Sequence, residues 1–77
     1  MKTLAFFYGD NCSNCEALKP QIKELSKTHK IFQYYLSDSP DAFSKYRVRW
    51  IPTVFEIQNG EEVEKTRQVW NIDLTKY

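Results

Sequence analysis

Thr3-Leu4-Ala5-Phe6-Phe7-Tyr8-Gly9-Asp10-Asn11-Cys12-Ser13-Asn14-Cys15 is the stretch on which the fold turns. Its first six residues form an unbroken apolar run of strand length. Unbroken rather than alternating apolarity predicts a central strand covered on both faces. Gly9, Asp10 and Asn11 end it with turn chemistry. Helical spacing follows: Cys15, Leu18, Ile22 and Leu25 recur at three- and four-residue steps, with charged residues between them. Pro20 falls within that stripe. Because apolar positions lie on both sides of it, the spacing predicts one helix from about Ser13 that bends at Pro20 rather than one that starts there.

The rest of the chain extends this unit. Residues 31–36 read as a second strand, rich in aromatics and nearly all apolar. Ser37-Asp38-Ser39-Pro40-Asp41 is a helix-start signal, predicting a short helix to about Tyr46 with Phe43 and Tyr46 on one face. Residues 47–52 connect to a third strand at residues 53–58, and Asn59-Gly60 is a strong hairpin signal. The fourth strand, about residues 62–69, is charged enough to suit a sheet edge. Asn71 is placed to cap a last short helix reaching Tyr77. The order is βαβαββα in a single domain over residues 1–77. The first two strands must be parallel with a right-handed crossover. This gives an α/β fold with a four-stranded mixed sheet flanked by helices on both faces. The aromatics Phe6, Phe7, Phe32, Tyr34, Phe43 and Phe55 are the expected stabilisers of the core.

Composition narrows the function. The 77 residues are 42% hydrophobic and 16% aromatic, with formal charge +1 from 11 basic and 10 acidic side chains. A nucleic-acid binder needs a basic excess to displace counterions, and a disordered acidic tail needs the reverse. No stretch is long and apolar enough to span a bilayer, and the N-terminal apolar run lacks the flanks of a signal peptide. The expectation is a cytoplasmic monomer, or a mature domain already freed of its signal, with no nucleic-acid or membrane partner.

Both cysteines, Cys12 and Cys15, lie in one four-residue window. A bond between them closes a tiny loop and removes little entropy from the unfolded chain, so the pair is better explained by chemistry than by stability. The placement is specific. First-turn N–H groups and the helix dipole favour an anion at a helix start, and a cysteine there carries more thiolate at neutral pH. Two intervening residues let the sulfurs meet. Cys12 stands at the loop end and Cys15 begins the apolar stripe, which makes Cys12 the attacking and Cys15 the resolving thiol. Asp10 and Glu16 flank the pair; a carboxylate near Cys12 opposes thiolate formation, unless both acids are simply solvated or Asp10 caps the helix. Two alternatives stand beside the redox reading: a fortuitous pair of thiols, and half of a zinc site shared between two chains. His29 is too far along the helix, about 20 Å from Cys15, to complete a zinc site within one chain.

These residues resemble the thioredoxin family. The match rests on C-x-x-C after the first strand, Pro20 five residues beyond Cys15, Ile51-Pro52-Thr53, the spacing from Pro52 to Asn59-Gly60, and the element order. The resemblance implies a thioredoxin-like fold and a protein-disulfide reductase that cycles its redox-active Cys12-Cys15 disulfide and needs no cofactor or metal. It also implies a cis peptide bond before Pro52 and a loop that lies beside Cys12 and pairs with an extended client. Asn11, Ser13, Asn14, Trp50, Ile51 and Pro52 are then the expected substrate contacts. Trp50 offers either an apolar contact to a client or a buried core ring, and Trp70 reads as packing first and as a groove contact second. The implied partners are a disulfide-containing client protein and a flavoprotein donor of the thioredoxin-reductase type.

The chain departs from the family pattern as well. Asn11 precedes the pair where a tryptophan is usual, Ser13-Asn14 replace Gly-Pro, and Phe6 holds the position of a buried acid thought to assist proton transfer at the second cysteine. The N-terminal strand and helix of a full thioredoxin are missing, so the size is that of a glutaredoxin. A glutathione-using glutaredoxin is a weaker reading, because only Gly60 follows Pro52 where that family has a glycine pair. A thioredoxin-fold peptide-binding adaptor or redox sensor is the alternative from another class.

Overall fold

The strand Thr3–Tyr8 (β1) is central, and Leu4, Ala5, Phe6 and Phe7 are all fully buried. The computed structural model describes all 77 residues. Behind β1 come α1 (Ser13–Leu25), β2 (Lys30–Tyr35), α2 (Pro40–Lys45), β3 (Thr53–Gln58), β4 (Glu61–Val69) and a single 3-10 turn, Leu74–Lys76. The sheet order is β2-β1-β3-β4, with β1 and β2 parallel and the other two pairs antiparallel. The predicted mixed four-stranded sheet and its central strand are both present. No helix is long and apolar enough to cross a membrane.

Alternation along β1 divides the core into two layers. Ala5 and Phe7 face α2 and pack with Phe43, Val48, Phe55 and Ile57. Phe6 faces α1 and packs with Leu18, Ile22, Val54 and Leu74. Helices therefore cover both faces, as the apolar run requires. Phe7 is the hub of the first layer. Its ring lies 4.9 Å from Tyr34 and 5.4 Å from Phe55, and meets Phe43 edge-on at 5.1 Å. Each such pair adds about 0.5–1.5 kcal/mol beyond area burial.

Strand order corrects the reading of β2. This strand pairs only with β1 and so forms one edge of the sheet. Phe32, expected in the core, is 40% exposed, with the Lys30 ammonium 5.1 Å from its ring centre. Leu36, placed inside the strand from sequence, lies one residue beyond it and is exposed.

The other edge, β4, is charged as expected, though its charges are not all solvated. Arg67 lies over Phe55, pairs with Glu62 through Nε at 2.6 Å, and donates from Nη2 to the Tyr46 carbonyl at 2.6 Å. It thereby ties the edge strand to the end of α2. The β3–β4 register shifts between Val54 and Glu56. There the Thr66 hydroxyl accepts from the Glu56 N–H at 2.8 Å and so restores the missing ladder bond. In the hairpin, Asn59 (φ 54°) and Gly60 (φ 78°) both have the positive φ that a two-residue primed turn demands.

The C-terminal element differs from expectation. It is one 3-10 turn, and its cap is Asp73, whose carboxylate accepts from the Thr75 N–H at 3.0 Å, rather than Asn71. Tyr77 follows, its hydroxyl donating to the Thr66 carbonyl at 2.6 Å. Burial, aided by the nearby Glu56 charge, pushes the Tyr77 phenol up to about 12 against the weaker opposing effect of Gln68. The unfolded value is the ordinary one of about 10. A raised folded value means that the neutral phenol is favoured in the native state, so its contribution is complete below pH ~10 and is lost as pH rises toward ~12. Denaturation midpoints should therefore fall across that window, and Tyr77→Phe should flatten part of the fall.

Candidate active site

The register Phe7↔Thr53 sets the C-terminal end of β1 beside the N-terminal end of β3. Cys12 follows the first end by four residues and Pro52 immediately precedes the second, so the chain topology delivers both to the same end of the sheet. The contact between their loops occurs at Gly9. A Cβ there would fall 2.9 Å from the Ile51 side chain, so glycine is what lets the Ile51 loop close onto the turn that carries the cysteines. Asn11 completes that turn with a positive φ of 54°, a conformation asparagine tolerates better than most residues.

Cys12 is the N-cap of α1, with extended backbone (φ −126°, ψ 98°). Its carbonyl accepts the first helical bond from Glu16 N–H at 3.0 Å, and its Sγ accepts from Cys15 N–H at 3.1 Å. The cap position that serine or aspartate usually fills with an oxygen is filled here by sulfur. A thiolate at that atom gains a first-turn N–H donor and the positive end of the helix dipole. Cys12 and Cys15 are joined in a disulfide, with Cα atoms 5.2 Å apart. Cys12 is half-buried, and Cys15 is fully buried. The expected asymmetry between an accessible and a sheltered sulfur is thus present. Helix α1 runs unbroken through Pro20, as the apolar stripe requires.

The flanking acids have separate fates. Glu16 pairs with Lys19 at 2.5 Å on the exposed face of the helix. Asp10 does not cap the helix; it accepts a hydrogen bond from the Tyr35 hydroxyl at 2.5 Å. That bond holds the Tyr35 phenol above its ordinary value. It also engages the carboxylate closest in sequence to Cys12. Tyr35→Phe should free that charge and disfavour the Cys12 thiolate, and Asp10→Asn should favour it, both read from thiolate absorbance of the reduced protein.

The Ile51–Pro52 peptide bond is cis. Pro52 is fully buried, and its carbonyl accepts from Trp70 N–H at 3.0 Å. The Thr53 hydroxyl donates to the Trp50 carbonyl at 2.6 Å. Bonds on both sides therefore hold the loop. Ile51 is half-buried against Gly9, and its own N–H and C=O take no part in the backbone bonds that join the loops. Asn11, Ser13 and Asn14 are exposed around Cys12. Phe6, at the position of the absent acid, is fully buried among Leu18, Ile22 and Val54, so no carboxylate occupies that place.

Exposure decides between the readings of the two tryptophans. Trp50 is 58% exposed and is not a core ring. Trp70, read first as packing, is 54% exposed and has φ 68°. Their rings meet edge to face, with centroids 5.4 Å apart. Sequence reasoning ranked a groove role for Trp70 second and missed Tyr35 at this site. The pairing of Trp70 N–H with the carbonyl of Pro52 arises from the β3–β4 register, which no local motif encodes.

No group of three or more His, Cys, Asp or Glu is placed to hold a metal ion. His29 lies past the far end of α1, with Nε2 3.1 Å from the Tyr77 carbonyl oxygen.

A family model described as thioredoxin matches residues 1–76. The chain belongs to the thioredoxin family. It is 36% identical over 66 residues to the thioredoxin of Rickettsia bellii, a match covering 80% of this chain and 63% of that one. It is 39% identical over 61 residues to thioredoxin-1 of Caenorhabditis elegans, covering 75% of this chain and 53% of that one. Among solved structures, the N21Q mutant thioredoxin of Halobacterium salinarum superposes with a TM-score of 0.84 at 28% identity, over 97% of this chain and 66% of the other. The matches thus span a little over half to two thirds of the thioredoxins they fall on. As a thioredoxin-family chain, it has the C-x-x-C pair at the start of α1 and the cis-proline loop, together with a buried Phe6 and the exposed Trp50–Trp70 pair.

Proposed function

We propose that this chain is a thiol–disulfide oxidoreductase that reduces disulfides in client proteins. The reading is carried by Cys12 at the N-cap, its Sγ accepting from the Cys15 N–H while Cys15 is buried behind it. In the reduced state the Cys12 thiolate attacks one sulfur of the client disulfide. A mixed disulfide forms and the other client sulfur leaves as thiolate. Cys15, deprotonated, then attacks Cys12 Sγ and expels the second client thiolate. The client has gained two electrons, and the chain ends with the Cys12–Cys15 bond. With Phe6 in place of an acid, the proton leaving Cys15 passes to water or to the departing thiolate.

An extended client segment would lie along the Ile51–Pro52 loop and pair with the free N–H and C=O of Ile51. Asn11, Ser13 and Asn14 would border it. A flavoprotein reductase would return the electrons, and a monomer in the reducing cytoplasm is the setting that suits a pair used for chemistry rather than stability.

Two measurements test this. Cys15→Ser should accumulate mixed disulfides with its clients, because resolution is blocked while attack is not. The pair should also equilibrate with a glutathione buffer at a reducing potential. Thioredoxin-like and strongly oxidising pairs differ by about 150 mV, so an oxidising value would reverse the proposed direction.

A further inference from the structure

Two large apolar rings more than half exposed and touching one another are unusual on a small domain, where single exposed apolar residues are ordinary. Each is fixed through its own backbone. Trp50 lies next to Ile51, and its carbonyl is held by Thr53; Trp70 donates its N–H to the Pro52 carbonyl. Trp50 therefore stands on the loop that borders the cysteines, and Trp70, just past β4, is bonded to that loop. Trp70 takes a positive φ, which disfavours any side-chain-bearing residue other than asparagine or aspartate. The sequence nevertheless has tryptophan there.

We propose that Trp50 and Trp70 together form a client-selecting corner, and that it takes an aromatic side chain adjacent to the client half-cystine. The proposal rests on the disulfide-reductase reading and names its substrate class. An edge-to-face pair leaves one open face beside one open edge, and a third ring fits that corner with a stacked contact to one tryptophan and an edge contact to the other. The free backbone groups of Ile51 fix an extended segment in register, so one particular side chain is aimed at the corner.

The test uses two peptide disulfides that differ only in having Phe or Ser beside the half-cystine, with hydroxyethyl disulfide as a substrate too small to reach the corner. Trp50→Ala removes an exposed ring and leaves no core cavity. Trp70→Gly places at the positive φ the residue that adopts it most easily. Each variant should lose about tenfold in kcat/KM on the Phe peptide, chiefly through KM, and should no longer prefer Phe over Ser. Turnover of hydroxyethyl disulfide should fall by clearly less than turnover of the Phe peptide, and Trp50→Phe should keep most of the preference. Retention of the Phe preference in both variants overturns the proposal, as does an equal loss on all three substrates. Affinity of the oxidised protein for the Phe peptide with its half-cystine changed to Ser is read separately by NMR titration. If wild-type protein turns over no disulfide, the reductase reading fails, and this affinity decides the corner alone: weaker binding by Trp70→Gly supports it, and equal binding overturns it.

Discussion

Cys12→Ser should abolish reduction of protein disulfides, lowering the rate by at least about 10³, in line with the loss of a covalent nucleophile in other enzymes. The effect is large because nothing else at the site can substitute. Cys15, the other thiol, is fully buried. The loss would be chemical rather than structural. Serine is among the preferred N-cap residues, and its oxygen can accept the Cys15 N–H that the Cys12 sulfur accepts now. The denaturation midpoint of the reduced variant should therefore stay close to that of the reduced parent. Retained disulfide reduction, measured with substrate in excess, would exclude Cys12 as the attacking group.

The largest effect on stability is expected from Phe7→Ala. Phe7 is fully buried and its ring contacts those of Tyr34, Phe43, Tyr46 and Phe55. Truncation should cost about 3–5 kcal/mol through lost transfer energy and the cavity left between the sheet and α2. A chain of 77 residues has a total stability of about 4–12 kcal/mol. The variant should therefore be largely unfolded well below the parent's midpoint in urea or heat. Phe32→Ala, at a ring left exposed on the β2 edge, should stay within about 1 kcal/mol of the parent. That contrast tests which layer of aromatics holds the molecule together.

The same two phenylalanines show how far the sequence could be read. The uninterrupted run in β1 required cover on both faces, and the strand has it. Residues 31–36 looked equally apolar, yet β2 stands at an edge. Strand order is a property of the whole chain, and apolarity of a segment does not say how many neighbours it will have. At the site, the cysteines, their order of burial and the cis-proline loop followed from spacing and from the family resemblance. Trp70 did not, because its exposure depends on a positive φ and on a bond to Pro52. The last cap shows the limit of local signals. Asn71 and Asp73 are both suitable cap residues, and Asp73 has its carbonyl and its N–H bonded to the Gln68 side chain of β4, at 2.9 and 2.8 Å.

The central position of β1 bears on how the molecule opens. Hydrogen-bonded strands lie on both sides of β1, whereas β2 and β4 each have one. Amides of β1 should exchange with solvent only through global unfolding, and those at the outer strands and the C-terminal turn should exchange through smaller, more frequent openings. Cys12 is tethered by a short turn to the slowest-exchanging strand. Fraying at either rim can therefore occur while Cys12 keeps its place.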